Sequence, residues 1–167
     1  MKRLMIRLTT SDLQNLKELS LEEHENFFKR NPRLKDAYHG SLVGICLCQG
    51  AASHYLNQNI GIKDFDIWHF YIANEKINFP YRAHKVIKSG YRGLSIDYLK
   101  RAIPRNLTSS CRRNPEGAIM VYLSQKNTKT KRLLLKKAIV RLFPNSIFSS
   151  ILWKGNHHKV SGVRRKE

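Results

Sequence analysis

Residues 42–72 read LVGICLCQGAASHYLNQNIGIKDFDIWHFYI. The stretch opens with a continuous apolar run, Leu42–Cys48, whose length and composition are typical of a strand buried on both faces. The letters QGAA then predict a turn, which is followed by a short helix over Ala51–Leu56 and a loop rich in Asn and Gly. The last part, Ile62–Ile72, is rich in β-branched and aromatic residues and predicts a second strand.

The segments on either side of this stretch complete the predicted fold. Residues 10–38 predict helices that begin after Ser11 and Ser20, with a break at Asn31-Pro32. The remaining predictions are an irregular segment over 73–92, a strand over Leu94–Leu99, a loop over Pro104–Arg113, a helix from Pro115 to about Gln125 capped by Asn114, and a helix over Lys129–Phe143. This order predicts an α+β, or α/β, fold with helices packed on one small mixed sheet.

The length and composition fit one globular domain. The chain has 167 residues, 41% of them hydrophobic, which is enough to form a core without disulfides or a structural metal. We assign residues 1–153 to a single domain and the basic residues 154–167 to a flexible tail. No apolar run approaches the ~20 residues of a membrane span. The chain starts with basic residues, but the apolar run there is too short for a signal peptide. A cytoplasmic protein without a membrane partner is therefore expected.

The charge is strongly positive and unevenly distributed. Lys and Arg number 31 against 12 Asp and Glu, a net charge of +19. From Tyr98 to Glu167 there are 17 basic residues and two acidic ones. Such an excess predicts a polyanionic partner such as RNA, because self-repulsion otherwise destabilises a compact chain. A general bias of the source proteome toward basic proteins is the alternative interpretation.

Two acidic residues within the second predicted strand indicate a metal site. Asp64 and Asp66 flank Phe65, and because strand side chains alternate, both carboxylates face the same side. Two like charges about 6.6 Å apart on a half-buried strand repel each other, and Asp is disfavoured in strands. A divalent cation between them would relieve the repulsion, and Mg²⁺ takes one or two carboxylates together with substrate phosphates. The alternative is a pair of exposed acids on the solvent face of an edge strand.

Two further residues complete the candidate site. Gly50 lies at the turn from strand to helix, where a phosphate can approach the backbone and the helix N-terminus supplies free N–H groups. Asp97 lies centrally in the strand predicted over Leu94–Leu99. If that strand lies beside the one with the acidic pair, Asp97 can bind metal or accept a proton from an attacking hydroxyl. His54 and His69 flank the pair in sequence, and we expect each to be a packed or surface histidine rather than a ligand.

These features resemble the nucleotidyltransferase superfamily of the polymerase-beta type, over about residues 42–99. That family has Gly-Gly or Gly-Ser, about a dozen residues, then Asp-hydrophobic-Asp-hydrophobic, and a third acid on a later strand. Gly50 stands at the first Gly position, Asp64-Phe65-Asp66-Ile67 matches the acidic strand, and Asp97 resembles the third acid. The resemblance implies a nucleoside triphosphate substrate bound near Gly50 and Ala51, and one or two Mg²⁺ ions on the three acids. Ala51 departs from the Ser that is common in the family.

Two functions therefore remain open. The first is a Mg²⁺-dependent nucleotidyltransferase-like protein that transfers a nucleotide to RNA or another anionic acceptor. The second is a non-catalytic, basic nucleic-acid-binding domain in which Ala51 marks the loss of activity. The first requires the carboxyl groups of Asp64, Asp66 and Asp97 to converge on one exposed patch with Gly50 at its rim. A salt bridge from either acid of the pair to Lys63 or Arg92 in open solvent would favour the second.

Overall fold

The computed structural model of the protein describes residues 3–80, 83–125, 138–144 and 151–154. These residues form helices and strands in the order α1 (Thr10–Arg30), α2 (Pro32–Tyr38), a 3-10 turn (His39–Ser41), β1 (Leu42–Cys48), α3 (Gln49–Asn57), β2 (Asp64–Ile72), β3 (Ala83–Tyr91), β4 (Leu94–Ile103), α4 (Arg105–Arg113), α5 (Pro115–Ser124), β5 (Ala138–Phe143) and β6 (Ile151–Lys154). Of the described helices, none is long and apolar enough to cross a membrane.

The six strands form one mixed sheet in the order β3-β4-β2-β1-β5-β6. β2 and β4 are parallel, and all other neighbouring strands are antiparallel. Helices pack on this sheet, so the predicted α+β class is confirmed. β1 and β2 lie at the centre of the sheet, and β1, which is apolar throughout, is buried from Val43 to Cys48.

Buried side chains cover both faces of the sheet. On one face, Leu16 of α1 belongs to the same buried cluster as Phe65 and Ile67 of β2. On the other face, Trp68 of β2 clusters with Ile119 of α5. β2 therefore supplies alternate residues to two cores, and the helix α3 that follows β1 packs on the α1 side through its buried alanines.

The N-terminal helix is one long element where two were predicted. Its N-cap is Thr9, which forms a capping box with Asp12, and Ser11 lies inside the first turn. Ser20 also lies within the helix, because its hydroxyl donates to the carbonyl of Leu16. A serine that bonds back to the preceding turn does not interrupt a helix, so the predicted boundary at Ser20 was wrong. The predicted break at Asn31-Pro32 is confirmed.

Three further predictions of secondary structure were wrong. The irregular segment predicted over 73–92 contains β3, and the loop predicted over Pro104–Arg113 is the helix α4. The C-terminal part of the helix predicted over Lys129–Phe143 is the strand β5, which is buried beside β1. The first part of that prediction, residues 129–137, lies outside the described residues, as do residues 155–167 of the predicted tail.

Candidate functional site

Two of the predicted site residues, Asp64 and Asp66, lie at the start of β2, and the third, Asp97, lies on the neighbouring strand β4. Asp64 and Asp66 alternate with the buried Phe65 and share a face of the sheet. In the parallel pairing of β2 with β4, Asp66 lies opposite Asp97 and Asp64 lies opposite Ser95. Paired residues on neighbouring strands share a face and are separated by about 4.7–4.9 Å of sheet width. The structure therefore brings the three aspartates together, each of them partly exposed.

The turn at Gly50 borders the same group of acids. Cys48, the last residue of β1, lies opposite Asp66 in the antiparallel pairing of β1 with β2, and α3 begins at the next residue. A surface depression is lined, among the described residues, by Arg3, Gln49, Gly50, Gly61, Lys63, Asp64 and Asp66. Asp97 does not line this depression and adjoins it through Asp66. The glycine turn and the acidic strand thus share one open surface.

Of the three acids, Asp97 lies in surroundings that disfavour its ionised carboxylate. Burial and the nearby charge of Asp64 raise the pKa of Asp97, and the neighbouring side chains of His84 and Lys63 only partly oppose this. The Asp97 side chain makes no hydrogen bond to another described residue that would compensate. A cation held by these oxygens would offset both the burial and the repulsion, so the residues present fit a hard divalent ion such as Mg²⁺.

The residue before Gly50 carries the unusual backbone of this turn. Gln49 has a φ of 58°, in the left-handed region that side chains other than Gly seldom adopt. Gly50 itself does not have a positive φ, and a Cβ built on it would meet, beyond its chain neighbours and its own helix backbone, no atom of the described residues within 4 Å. The fold alone therefore does not require glycine at position 50, whereas the close approach of a ligand to the backbone would.

Ala51 contributes to the core and offers only its backbone to the site. Its side chain is 1% exposed and lies in the buried cluster on the α1 side of the sheet. A serine hydroxyl at this position would point into that core. The N-cap residue of α3, Cys48, makes no capping hydrogen bond to the described residues. The first turn of α3 therefore keeps uncapped N–H groups near the acids, which is the feature that binds phosphate at helix N-termini.

Lys63 and Arg3 line the depression, but neither was predicted as a site residue. Lys63 Nζ lies 3.6 Å from Asp64 Oδ2, with 52% of the Lys63 side chain and 28% of the Asp64 side chain exposed. This contact is longer than a hydrogen bond, and Lys63 precedes Asp64 in the chain, so it is a loose surface pair. A salt bridge between Lys63 and an acid of the pair was the condition that favours a nucleic-acid-binding protein without chemistry, and this contact is a weak form of it. Arg92 instead pairs with Asp12, at 3.2 Å.

Arg3 reaches the depression through a long-range contact that no local pattern indicates. Leu4 and Ile62 exchange two backbone hydrogen bonds of 2.8 Å, which bring the N-terminal segment beside the start of β2. The signal for Lys63, in contrast, was present in the sequence, because it directly precedes the acidic pair. Both cations place positive charge at the depression that Asp64 and Asp66 also line.

The two histidines flanking the acids have structural roles. His54 is 1% exposed; its Nε2 lies 2.8 Å from the carbonyl of Ile6, and its Nδ1 accepts from the amide of Gly61. His69 is fully buried and donates from Nε2 to the carbonyl of Ser20. Burial lowers the pKa of His69 to about 3, so the ring stays neutral. Neither histidine reaches the acidic surface.

Comparison with known proteins adds no identification. The chain matches no family model, and comparisons with curated proteins and with solved structures give no significant match.

Proposed function

We propose that this chain is a Mg²⁺-dependent, nucleotidyltransferase-like protein that transfers a nucleotide to RNA or another anionic acceptor. The observation that supports the proposal is the register of β2 and β4, which pairs Asp66 directly with Asp97 while Asp64 lies two residues away on the same face. Gly50 lines the depression shared by Asp64 and Asp66.

Each of these residues has a role in the proposed reaction. The carboxylates of Asp64, Asp66 and Asp97 would hold Mg²⁺, which when bound neutralises phosphate charge and orients the triphosphate. The N–H groups around Gly50 would receive a phosphate at the start of α3. An acceptor hydroxyl oxygen forms a bond to the α-phosphorus, the bond to the departing pyrophosphate breaks, and the hydroxyl proton passes to a carboxylate, for which Asp97 is the candidate.

The expected acceptor is polyanionic. The net charge of +19 favours encounter with nucleic acid, although charge alone provides no sequence specificity. Arg3 and Lys63 are exposed at the depression, and Arg112 and Arg113 are exposed at the end of α4. RNA is therefore the first acceptor to test.

The direct test is nucleotide transfer. The full chain is incubated with each labelled nucleoside triphosphate, Mg²⁺ and total RNA, and label in RNA is measured with and without a chelator. We expect incorporation that requires Mg²⁺ and is lost in the double variant Asp64→Ala with Asp66→Ala. The matched control removes two exposed acids from α1 and α2, Glu22→Ala with Asp36→Ala, and should retain activity. Transfer that persists in the Asp64/Asp66 double variant would refute the proposal.

The second candidate function is a nucleic-acid-binding protein without chemistry. The loose contact of Lys63 with Asp64 and the basic composition favour it. The two candidates differ in their response to ligands. An enzyme of the proposed type gains thermal stability from Mg²⁺ with a nucleoside triphosphate, because a ligand bound only by the native state stabilises that state. A simple binder binds RNA without Mg²⁺, with an affinity that falls steeply with salt, and gains no stability from nucleotide.

The variant Gly50→Ala tests whether a phosphate approaches the backbone at position 50, because it should change nucleotide affinity without lowering the melting temperature. A Cβ at position 50 meets, within 4 Å, no atom of the described residues apart from its chain neighbours and its own helix backbone, and Ala is favoured over Gly within a helix by about 0.5–1 kcal/mol. We therefore expect an unchanged or slightly raised melting temperature, together with nucleotide affinity weakened about tenfold or more, measured by calorimetric titration in Mg²⁺. The control is Gly40→Ala, whose Cβ is equally unobstructed. Equal nucleotide affinity in the wild type and in both variants would contradict phosphate binding at this turn.

A further inference from the structure

Three potential metal ligands meet where α1 approaches the turn before β1. The ligand atoms of His24, Glu25 and His39 all lie within 4.8 Å of one another. His39 Nε2 is 2.9 Å from both carboxylate oxygens of Glu25, and His24 Nε2 is 3.9 Å from Glu25 Oε1. Tetrahedral zinc with bonds of about 2.0–2.2 Å places neighbouring ligand atoms roughly 3.3 Å apart. The observed separations lie on both sides of that value.

The surroundings hold the two imidazole rings in position. His24 and His39 lie with ring centroids 4.9 Å apart, and the edge of Phe28 packs against each of them. His24 Nδ1 lies 3.1 Å from the hydroxyl of Tyr71. With Nδ1–H donating to that oxygen, the lone pair of Nε2 faces the carboxylate of Glu25. A ligating histidine typically has its second nitrogen bonded in this way, which fixes the ring and its tautomer.

We propose that His24, Glu25 and His39 form a Zn²⁺ site with a water molecule as the fourth ligand. Two imidazole nitrogens and one carboxylate suit zinc rather than Mg²⁺, which prefers oxygen ligands. The site is closed on the side of His24, whose side chain is 6% exposed, and open on the side of Glu25, which is 54% exposed. The open side supplies the position for water.

A simple ion pair between His39 and Glu25 does not account for the whole cluster. It explains the two contacts of 2.9 Å but leaves His24 directed at the same carboxylate from 3.9 Å, beyond hydrogen-bonding distance. An ion that binds all three side chains accounts for the approach of His24 Nε2 to the carboxylate of Glu25. It also links α1 to the 3-10 turn from which β1 begins.

This site is separate from the acidic surface. Tyr71, which holds His24, lies seven residues after Asp64 along β2, or roughly 23 Å at ~3.3 Å per residue. The zinc proposal therefore does not depend on the proposed function, and either one can be refuted without affecting the other.

The test is Co²⁺ titration of the full chain after removal of bound metal. Millimolar Mg²⁺ is kept present so that the aspartates do not take up the probe. We expect one equivalent of Co²⁺ to give the visible absorption of a tetrahedral centre, and Zn²⁺ to abolish it by displacement. Zn²⁺ should also raise the melting temperature, because it binds the native state.

Variants at the exposed ligands decide the assignment. His39→Ala and Glu25→Gln should each weaken Co²⁺ binding by at least ~10-fold, since even a group that only supports a ligand costs about 10–100-fold. Glu22→Gln, which removes the same charge from an exposed position of α1, should bind as the wild type does. So should the double variant His157→Ala with His158→Ala, which removes the histidine pair of the C-terminal segment. No Co²⁺ absorption in the wild type, or equal affinity in the His39 and Glu25 variants, would overturn the proposal.

Discussion

Replacing Asp97 by Asn is expected to have two effects of opposite sign. The metal-free protein should melt at a higher temperature, and Mg²⁺-dependent nucleotide transfer should fall by about 10³-fold or more. The loss follows from the proposed function, because a catalytic metal supplies several kcal/mol of charge stabilisation and each ~1.4 kcal/mol corresponds to a tenfold change in rate. The gain follows from the metal-free structure, in which burial and the charge of Asp64 disfavour the ionised form of Asp97.

The pH dependence of the stability effect has a defined sign. The pKa of Asp97 is raised in the folded protein, first by burial and then by Asp64, so the native state holds the Asp97 proton more tightly than the unfolded chain does. The unfavourable contribution of the carboxylate is therefore complete at neutral pH and diminishes as the pH falls through the folded pKa. The difference in melting temperature between Asp97→Asn and wild type should disappear below about pH 3.8, the ordinary value for this group.

Melting curves in chelator from pH 7 to pH 3.5, together with transfer rates in Mg²⁺, provide the measurement. Asp36→Asn, which removes an exposed acid of α2, is the control and should change neither quantity appreciably. A structural role for Asp97 predicts a lower melting temperature with lower activity. Stability that falls in the Asn variant would therefore contradict the electrostatic account, and full transfer activity would remove Asp97 from the proposed site.

Local patterns predicted the acidic surface because its geometry depends on strand parity. Asp64 and Asp66 are two residues apart in an apolar strand, so their common face follows from the period of a strand. The position of Asp97 required one further fact that no single segment contains, the register of β2 with β4. A slip of one residue would have turned Asp97 to the opposite face. Arg3 was missed for a related reason, since its approach depends on the pairing of Leu4 with Ile62.

The elements that were missed are those whose conformation is set by tertiary contacts. β3 is an edge strand with exposed polar residues on one side, so its sequence resembles a loop. β5 has apolar residues that also fit a helical period, but it is buried between β1 and β6, and burial on both faces favours the strand. α4 is held by a few inward side chains such as Cys111, while its remaining residues are polar. In each case packing outweighs a weak local preference.

Glu23→Gln is expected to lower the free energy of unfolding by about 3–5 kcal/mol, because breaking a buried ion pair leaves an uncompensated charge. Glu23 of α1 is 3% exposed, and its Oε1 accepts from Lys100 Nζ at 3.0 Å. Lys100 is 1% exposed, so it has no access to water once its partner is neutral. Arg30 and Lys85 also donate to Glu23, at 2.7 and 2.8 Å, which makes this single carboxylate the partner of three cations.

The titration of Glu23 supports the same conclusion. Burial by itself would raise the pKa of Glu23, but the hydrogen bonds and charges of Lys85, Lys100 and Arg30 outweigh burial and lower it. The folded protein is thus stabilised by the ionised carboxylate above pH 4.5, the ordinary value of the group, and this contribution is lost as the pH falls through the lower folded pKa. The difference between wild type and Glu23→Gln should accordingly be full at pH 7 and diminish in acid.

Urea denaturation at pH 7 measures the effect, with two comparisons that isolate its cause. Lys85→Met removes a partner whose side chain is 39% exposed and leaves Glu23 its bonds to Lys100 and Arg30, so it should cost less than Glu23→Gln does. The double variant Glu23→Gln with Lys100→Met also removes the unpaired charge of Lys100. It should recover much of the lost free energy of unfolding, because an apolar replacement of a buried pair is often neutral or stabilising. If Glu23→Gln costs no more than Lys85→Met, or if removing Lys100 adds to the loss, the buried charge of Lys100 is not the cause. The stability of this region would then depend on the packing of Phe27 and Tyr98, whose rings Lys100 overlies.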